Sequence, residues 1–221
     1  MLKIKYYKNK NLFSSLVESR IYLGSTHKLR DPKITPYLFG ARNGFCVFQL
    51  EKTLACLRKA TTIASKMHFS RKKILFIGFP ESEKYLLIPL FLSNNHFYTQ
   101  SQFWFNGALT NGKHFNICVN AFKEIIKLKK RSDQLVFFKK FGGTYFLKKT
   151  PELIVIYDHT ESFQALTEAS KMAIPVISFV NSDSNPTECD YPIPGNFIGK
   201  PAGKFYSQIL KNFLKKVQKS P

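Results

Sequence analysis

Three long apolar runs stand out along the chain, and each is bounded by charged residues, a proline or a polar stretch. They are KILFIGF at 73–79, ELIVIYD at 152–158 and IPVISFV at 174–180. A run without polar alternation is typical of a strand that is buried on both faces of a parallel sheet. The pattern therefore predicts three central strands.

Helical spacing of apolar residues separates these runs. It predicts short strands at 45–50 and from residue 96, and helices over 51–67, 81–93, 115–141, 160–173 and 204–219. In the fourth helix we expect Thr160 as the N-cap and a buried stripe of Phe163, Leu166, Ala169 and Ala173. Strands that alternate with helices predict an α/β fold with a doubly wound parallel sheet flanked by helices.

Two segments have weaker patterns. Residues 1–44 are predicted to form a basic, loop-rich N-terminal segment that ends in a turn at Asn43-Gly44. ECDYPIPGN at 188–196 is expected to be a rigid connector, because its two prolines remove N–H donors and let it run extended without an edge to pair. No internal repeat is visible, and residues 1–221 are predicted to form a single domain.

The charge of the chain is large and uneven. The formal net charge is +20, yet residues 150–199 contain seven acidic residues against one basic residue, Lys171. This uneven distribution predicts a basic surface that is separate from a near-neutral or acidic one. A surplus of this size predicts an anionic partner, with nucleic acid as the first candidate and an acidic membrane surface as the second.

The cysteines and histidines give no sign of a metal or redox site. The four cysteines form no C-x-x-C pair and the five histidines form no H-x-x-x-H pair, so we expect no metal and no cofactor. The cysteines are expected to be small apolar residues in a reducing compartment. No apolar run is long enough for a transmembrane helix, and the basic start of the chain lacks the apolar core of a secretory signal.

A doubly wound sheet also raises the possibility of a nucleotide- or RNA-acting enzyme. The loop after the first central strand reads FIGFPESEKY and contains neither G-x-G-x-x-G nor a P-loop motif. His159 follows Asp158 where a strand ends, but no nucleophile accompanies it, so we interpret it as part of an ordinary strand-to-helix connection. An enzyme remains the alternative function at this point. A protein that lies on a membrane surface through its basic C-terminal helix is a third possibility.

Basic residues among small and polar neighbours favour RNA binding. The stretches THKLRDPK, GARNG, LTNGKH and IGKPAGK all lie on predicted loops. Lys and Arg bind phosphate, and Asn and Thr add neutral donors to phosphate or to the ribose 2′-hydroxyl.

These stretches also carry a resemblance to a known family. PYLFGARNG, GALTN and YPIPGN, in this order and at these separations, together with ELIVIYDHTESFQALTEASKMAIPVISFV, make the chain similar to bacterial-type small-subunit ribosomal protein S-two over nearly its whole length. The resemblance implies a Rossmann-like fold with a protruding helical hairpin. It implies a structural role without catalytic activity or a small-molecule substrate, and partners among ribosomal RNA and neighbouring small-subunit proteins. The RNA would be held on the solvent side of the small subunit, near the head–body junction.

The chain departs from the family pattern at several positions. Tyr22 and Ser25 stand where the family usually has histidines, Asn181 stands where it has an aspartate, and the hairpin region at 112–141 is shortened. This drift favours a mitochondrial ribosome, with a plastid one as the alternative. It also puts in doubt any contact with a metal or a protein that the family makes through the histidines at positions 22 and 25.

The residues expected to contact RNA follow from the resemblance and from local charge. The family motifs support Arg42, Asn43, Thr110 and Asn111, and a matched basic position supports Lys28. Local charge suggests Arg30, Lys113 and Lys200, the last at the start of a basic C-terminal helix over 200–221.

Overall fold

A computed structural model describes residues 9–100, 104–127, 147 and 149–214. The helices are α1 (Asn9–Glu18), α2 (Leu50–Phe69), α3 (Glu81–Ser93), α4 (Gly112–Lys127), α5 (Phe163–Lys171) and α6 (Lys200–Leu214). The strands are β1 (Leu23–Thr26), β2 (Leu38–Arg42), β3 (Phe45–Phe48), β4 (Ile74–Ile77), β5 (Phe97–Thr99), β6 (Leu153–Ile156), β7 (Val176–Val180) and β8 (Tyr191–Pro194).

Five strands form one parallel sheet in the order β5-β4-β6-β7-β8. The three apolar runs became β4, β6 and β7, and every residue of these strands is buried. The chain builds outwards from β4 in both directions, which is the doubly wound order of flavodoxin-like folds. The predicted fold class is therefore confirmed.

The fifth strand corrects one prediction. YPIP was expected to run extended without a partner, but Tyr191–Pro194 pairs in parallel with β7 as the edge strand β8. A proline fits an edge strand because its missing N–H can face away from the neighbouring strand. Pro192 and Pro194 also deprive the outer edge of donors, so this side of the sheet is closed to further strands.

Alternating residues of the central strands belong to two hydrophobic layers, one on each face of the sheet. Ile74 and Phe76 of β4 pack with α1, α2, α3 and α6 on one face. Leu75 and Ile77 pack on the other face with α5, β3 and the segment that carries Leu109. The period of two along the strand thus assigns each helix to a layer. No helix in the described ranges is long and apolar enough to cross a membrane.

The N-terminal segment is more regular than predicted. Residues 1–44 were expected to be loop-rich, but from residue 9 onwards they contain α1 and two strands. β1, β3 and β2 form a three-stranded antiparallel sheet in that order. Each of the two strands is short and contains a glycine, and two prolines lie between them, so the local pattern resembled that of loops.

Helix α5 begins later than expected. Its N-cap is Ser162, not Thr160, and the Ser162 side chain makes no capping hydrogen bond. Phe163 is 59% exposed, so it does not belong to the predicted stripe, and Ala173 lies outside the helix. The buried side of α5 holds Ala165, Leu166, Glu168 and Ala169 instead.

The predicted basic helices are only partly within the described residues. α4 covers the start of the predicted hairpin at 112–141, and residues 128–141 lie outside the described part of the chain. The hairpin therefore stays a prediction. α6 begins at Lys200, where the basic C-terminal helix over 200–221 was predicted to start and one turn before the helical spacing at 204–219, and residues 215–221 lie outside the described part of the chain.

Candidate nucleic-acid interface

The β2–β3 hairpin presents two of the predicted RNA-binding residues. Its turn, Asn43-Gly44, has φ of 51° and 80°, and positive φ at both positions is what a two-residue type I′ turn requires. The side chains of Arg42 and Asn43 are exposed at this tip. Asn tolerates the left-handed conformation better than most residues, so Asn43 has a structural reason to be here as well.

The segment with Lys28 and Arg30 lies beside this turn. The His27 N–H donates to the Gly44 carbonyl oxygen at 2.8 Å, which brings the short 3-10 helix His27–Leu29 against the hairpin. Lys28 is exposed and Arg30 is half-buried. We call Lys28, Arg30, Arg42 and Asn43 the hairpin surface.

Hydrogen bonds to the end of β7 hold the hairpin surface on the parallel sheet. The backbone N–H of Ser25 donates to Ser182 Oγ at 2.7 Å, and Asn181 Nδ2 donates to Ser25 Oγ at 2.9 Å. The Ser25 hydroxyl in turn donates to Asp183 Oδ2 at 3.1 Å. Ser25 and Asn181, two positions at which we expect the chain to depart from the family pattern, are therefore in direct contact.

The loop at 104–111 is built around one buried carboxylate. Glu168 of α5 is 8% exposed, and its Oε1 accepts hydrogen bonds from Trp104 Nε1 at 3.0 Å and from the Gly107 N–H at 2.8 Å. Its Oε2 accepts from the N–H groups of Leu109 at 3.0 Å and Thr110 at 3.4 Å. These donors compensate the cost of burying the carboxylate. We call residues 104–111 the Glu168-bound loop.

This loop carries Thr110 and Asn111 directly into α4. Both side chains are exposed, and Asn111 Oδ1 accepts the His114 N–H at 3.3 Å, which caps the helix. Asn111 therefore also has a structural role. Lys113 is exposed in the first turn of α4, where the helix dipole disfavours a cation, so its position does not serve the helix.

The hairpin surface and the Glu168-bound loop share one layer of the fold. Ile34, from the segment that follows Arg30, and Leu109 lie in the same hydrophobic cluster as the inner residues of α5. Trp104 and Leu38 pack against that cluster. The segments next to GARNG and GALTN thus pack into the same hydrophobic layer.

Lys200 is separated from the other predicted residues. It stands at the start of α6, whose Ala202, Tyr206 and Leu210 pack in the opposite layer. It lines a cleft of about 640 Å³ together with Asp158 and Glu161. These carboxylates would weaken an attraction between Lys200 and phosphate, so the geometry gives Lys200 less support than the hairpin surface has.

The same cleft is the place where a Rossmann-like enzyme would bind its ligand. It lies beside the ends of β4 and β6, where the strand order reverses. The loop after β4 is Gly78-Phe79-Pro80 and has no phosphate-binding glycine motif. Burial raises the pKa of Asp158, but a raised pKa alone does not assign a catalytic role to this carboxyl group.

His159 is a structural residue in this fold. It is buried, its Nδ1 lies 3.0 Å from Ser178 Oγ, and its Nε2 lies 3.0 Å from Glu188 Oε2. Both ring nitrogens are thus engaged with β7 and with the segment before β8. Within the described ranges no group of three His, Cys, Asp or Glu residues is arranged to hold a metal ion.

Sequence reasoning missed Glu168 and two exposed aromatic residues. Phe39 is 83% exposed and Phe45 is 43% exposed, and both lie on the β2–β3 hairpin. Phe45 lay in the predicted apolar strand at 45–50, and Phe39 lay in the segment predicted to be loop-rich. Glu168 lies among the buried residues of α5. An acidic residue on the apolar side of a short helix was the feature of the sequence that could have pointed to its role.

Comparisons with known proteins agree with the sequence motifs. The family model described as "Ribosomal protein S2" matches residues 16–216. A protein named small ribosomal subunit protein uS2 from Ehrlichia canis is 27% identical over 213 residues, which cover 90% of this chain and 73% of the relative. The protein of the same name from Treponema pallidum has the same identity and coverage. That from Buchnera aphidicola is 29% identical, with 94% of this chain and 92% of the relative covered.

Proposed function

Because the chain belongs to the ribosomal protein S2 family and is a structural component of the small ribosomal subunit, we propose that it binds ribosomal RNA through the hairpin surface and the Glu168-bound loop. The family is structural and not enzymatic, so the enzyme alternative is set aside. The observation that carries the proposal is that the segments carrying Lys28, Arg42, Thr110 and Asn111 pack into the same hydrophobic layer, with these four side chains exposed.

The chemistry of this face suits a folded RNA. Lys28 and Arg42 are exposed and have no side-chain hydrogen bond or ion pair within the described residues, so phosphate does not have to displace a carboxylate. Thr110 and Asn111 offer neutral groups to phosphate or to the 2′-hydroxyl. Neighbouring small-subunit proteins are further proposed partners.

We place the ribosome in question in a mitochondrion, with a plastid as the alternative. The departures at Ser25 and Asn181 and the short hairpin region support an organellar member, since such a ribosome tolerates drift from the bacterial pattern. Gradient sedimentation of mitochondrial and plastid lysates at low salt, with detection of the chain by antibody, tests this. Recovery with mitochondrial small subunits supports the proposal, and recovery only in soluble top fractions refutes the ribosomal assignment.

Arg42→Ala tests the RNA contact itself. Loss of a charged hydrogen bond costs about 1–3 kcal/mol, so we expect RNA affinity and incorporation in competition with the wild type to fall roughly fivefold or more. Lys66→Ala is the matched control, because Lys66 is exposed on α2 in the opposite layer. Equal incorporation of both variants would remove Arg42 from the interface.

A further inference from the structure

An exposed aromatic ring and a guanidinium stand side by side at the end of the antiparallel sheet. Thr26, Phe45 and Arg42 are partners in register across β1, β3 and β2. Directly paired side chains of neighbouring strands lie about 4.5–5.5 Å apart at Cβ. Cys46, the next residue of β3, is fully buried, so the alternation of the strand puts Phe45 and Arg42 on the outer face.

The surroundings of Phe45 are cationic. Lys28 lies close by, because His27 is bonded to the Gly44 carbonyl directly before Phe45. Between Ser19 and Gln49 the sequence has one acid, Asp31, and its Oδ1 already accepts the Lys33 N–H at 2.7 Å. A second acid, Asp183, approaches β1 at Ser25, but both of its carboxylate oxygens already accept hydrogen bonds, from the Ser25 and Ser184 hydroxyls. The charge around the ring therefore favours an anionic partner.

We propose that Phe45 and Arg42 form a stacking platform for an unpaired nucleotide of ribosomal RNA, with Lys28 and Arg42 available to its phosphates. This rests on the RNA-binding function proposed above and specifies the kind of RNA involved. Lys and Arg alone serve duplex and single-stranded RNA equally well. An exposed ring is covered by RNA only when a base has left the helix stack, since a duplex presents phosphates and riboses instead.

An apolar protein partner would also cover Phe45, and it is the competing explanation. Such a partner would have to be acidic to match the cations around the ring. Phe39, 83% exposed, is a second exposed ring on the same hairpin and adds no acid. Aromatic rings interleaved with cations are the usual composition of sites for single-stranded nucleic acid.

The test compares Phe45→Leu, Phe45→Trp and Phe163→Leu in the full chain. The probe is a 12-nucleotide RNA with a central 2-aminopurine, used alone and annealed to its complement. Phe45→Leu keeps the apolar bulk but loses the ring, so we expect about tenfold weaker binding of the single strand and loss of the 2-aminopurine fluorescence change. Phe45→Trp should keep both, and duplex binding should change little. Phe163→Leu controls for loss of an exposed ring elsewhere, since Phe163 is 59% exposed on α5.

The outcomes separate the platform from the proposed function. Wild-type binding of the single strand by Phe45→Leu, with weaker binding by Arg42→Ala, would overturn the platform and leave RNA binding in place. Equal losses on single strand and duplex would also overturn it. A wild-type chain that binds neither probe and no ribosomal RNA at low salt would refute the proposed function. Normal RNA binding by Phe45→Leu combined with poor incorporation into subunits would assign the ring to a protein contact instead.

Discussion

Removal of the Glu168 carboxylate is the most direct test of how the fold positions the Glu168-bound loop. The carboxylate accepts hydrogen bonds from Trp104 Nε1 and from the N–H groups of Gly107, Leu109 and Thr110. In Glu168→Ala these donors lose their acceptor inside a site that is 8% exposed at Glu168. Each buried donor left unpaired costs about 1–3 kcal/mol, and the loop can recover part of the sum by admitting water.

We therefore expect Glu168→Ala to lower the free energy of unfolding by about 3–5 kcal/mol, because several of the four donors are left without an acceptor. Glu168→Gln should cost less, about 2 kcal/mol, because its amide keeps one acceptor oxygen but turns an NH₂ group towards two donors. Gln164→Ala is the control on the same helix. Gln164 is exposed, so we expect a change below about 0.5 kcal/mol.

Urea unfolding measured by two probes checks these values. Far-ultraviolet circular dichroism follows the whole fold, and fluorescence follows the loop, because Trp104 is the single tryptophan of the chain. With an m-value of roughly 2 kcal/mol/M, a loss of 3 kcal/mol moves the midpoint down by about 1.5 M. A Glu168→Ala midpoint equal to that of Gln164→Ala, with unchanged Trp104 emission, would show that the carboxylate does not hold the loop.

Three further predictions concern stability. Tyr206 is buried and its Oη has no hydrogen-bond partner among the described residues, so Tyr206→Phe should stabilise the fold by about 1 kcal/mol. Tyr157→Phe is the opposite case, because its Oη donates to the Phe197 carbonyl at 2.7 Å, and we expect it to cost about 1–2 kcal/mol in the same urea assay. Burial lowers the pKa of His96 to about 3, whereas the pKa of a histidine in the unfolded chain is about 6.5. As the pH falls below about 6.5, the unfolded state therefore binds a proton that the folded state does not bind, and stability is lost. About 2 kcal/mol should be lost between pH 7 and pH 5, and a His96→Gln variant whose pH slope equals that of the wild type would contradict this assignment.

The central part of the fold follows from local sequence, and its edge does not. β4, β6 and β7 are continuous apolar runs, because both of their faces are covered by helices or by the antiparallel sheet. β8 contains two prolines, which a local interpretation takes as the end of a strand. Only the position at the edge makes those prolines acceptable, and that position depends on which strands are already paired. The expectation of an unpaired connector failed for this reason.

The residues of the candidate site also divide into those that local sequence predicts and those that depend on the fold. Arg42 and Thr110 were predicted because motifs and charge are local features of the sequence. The role of Glu168 was not predicted, because its donors lie about sixty residues earlier in the chain and three of the four are backbone groups without a residue signature. Lys200 was predicted from its basic neighbours, but the fold puts it at the opposite layer beside Asp158 and Glu161. Charge in sequence thus indicated a class of partner, and the topology decided which charges share a face.

The acids of residues 150–199 show why the basic side remains available to a partner. They were expected to form a near-neutral or acidic surface, and several of them accept hydrogen bonds from backbone N–H groups. Glu152 accepts from Lys73, Asp190 accepts from Val176, and Asp158 accepts from Glu161. Glu168 binds the loop described above, and Glu188 meets the His159 ring. A carboxylate held by backbone donors at its own place in the fold is not free to neutralise Lys28 or Arg42. The distribution of acids therefore stabilises the fold and at the same time leaves the cations of the hairpin surface without competing partners, which is the condition that binding to phosphate requires.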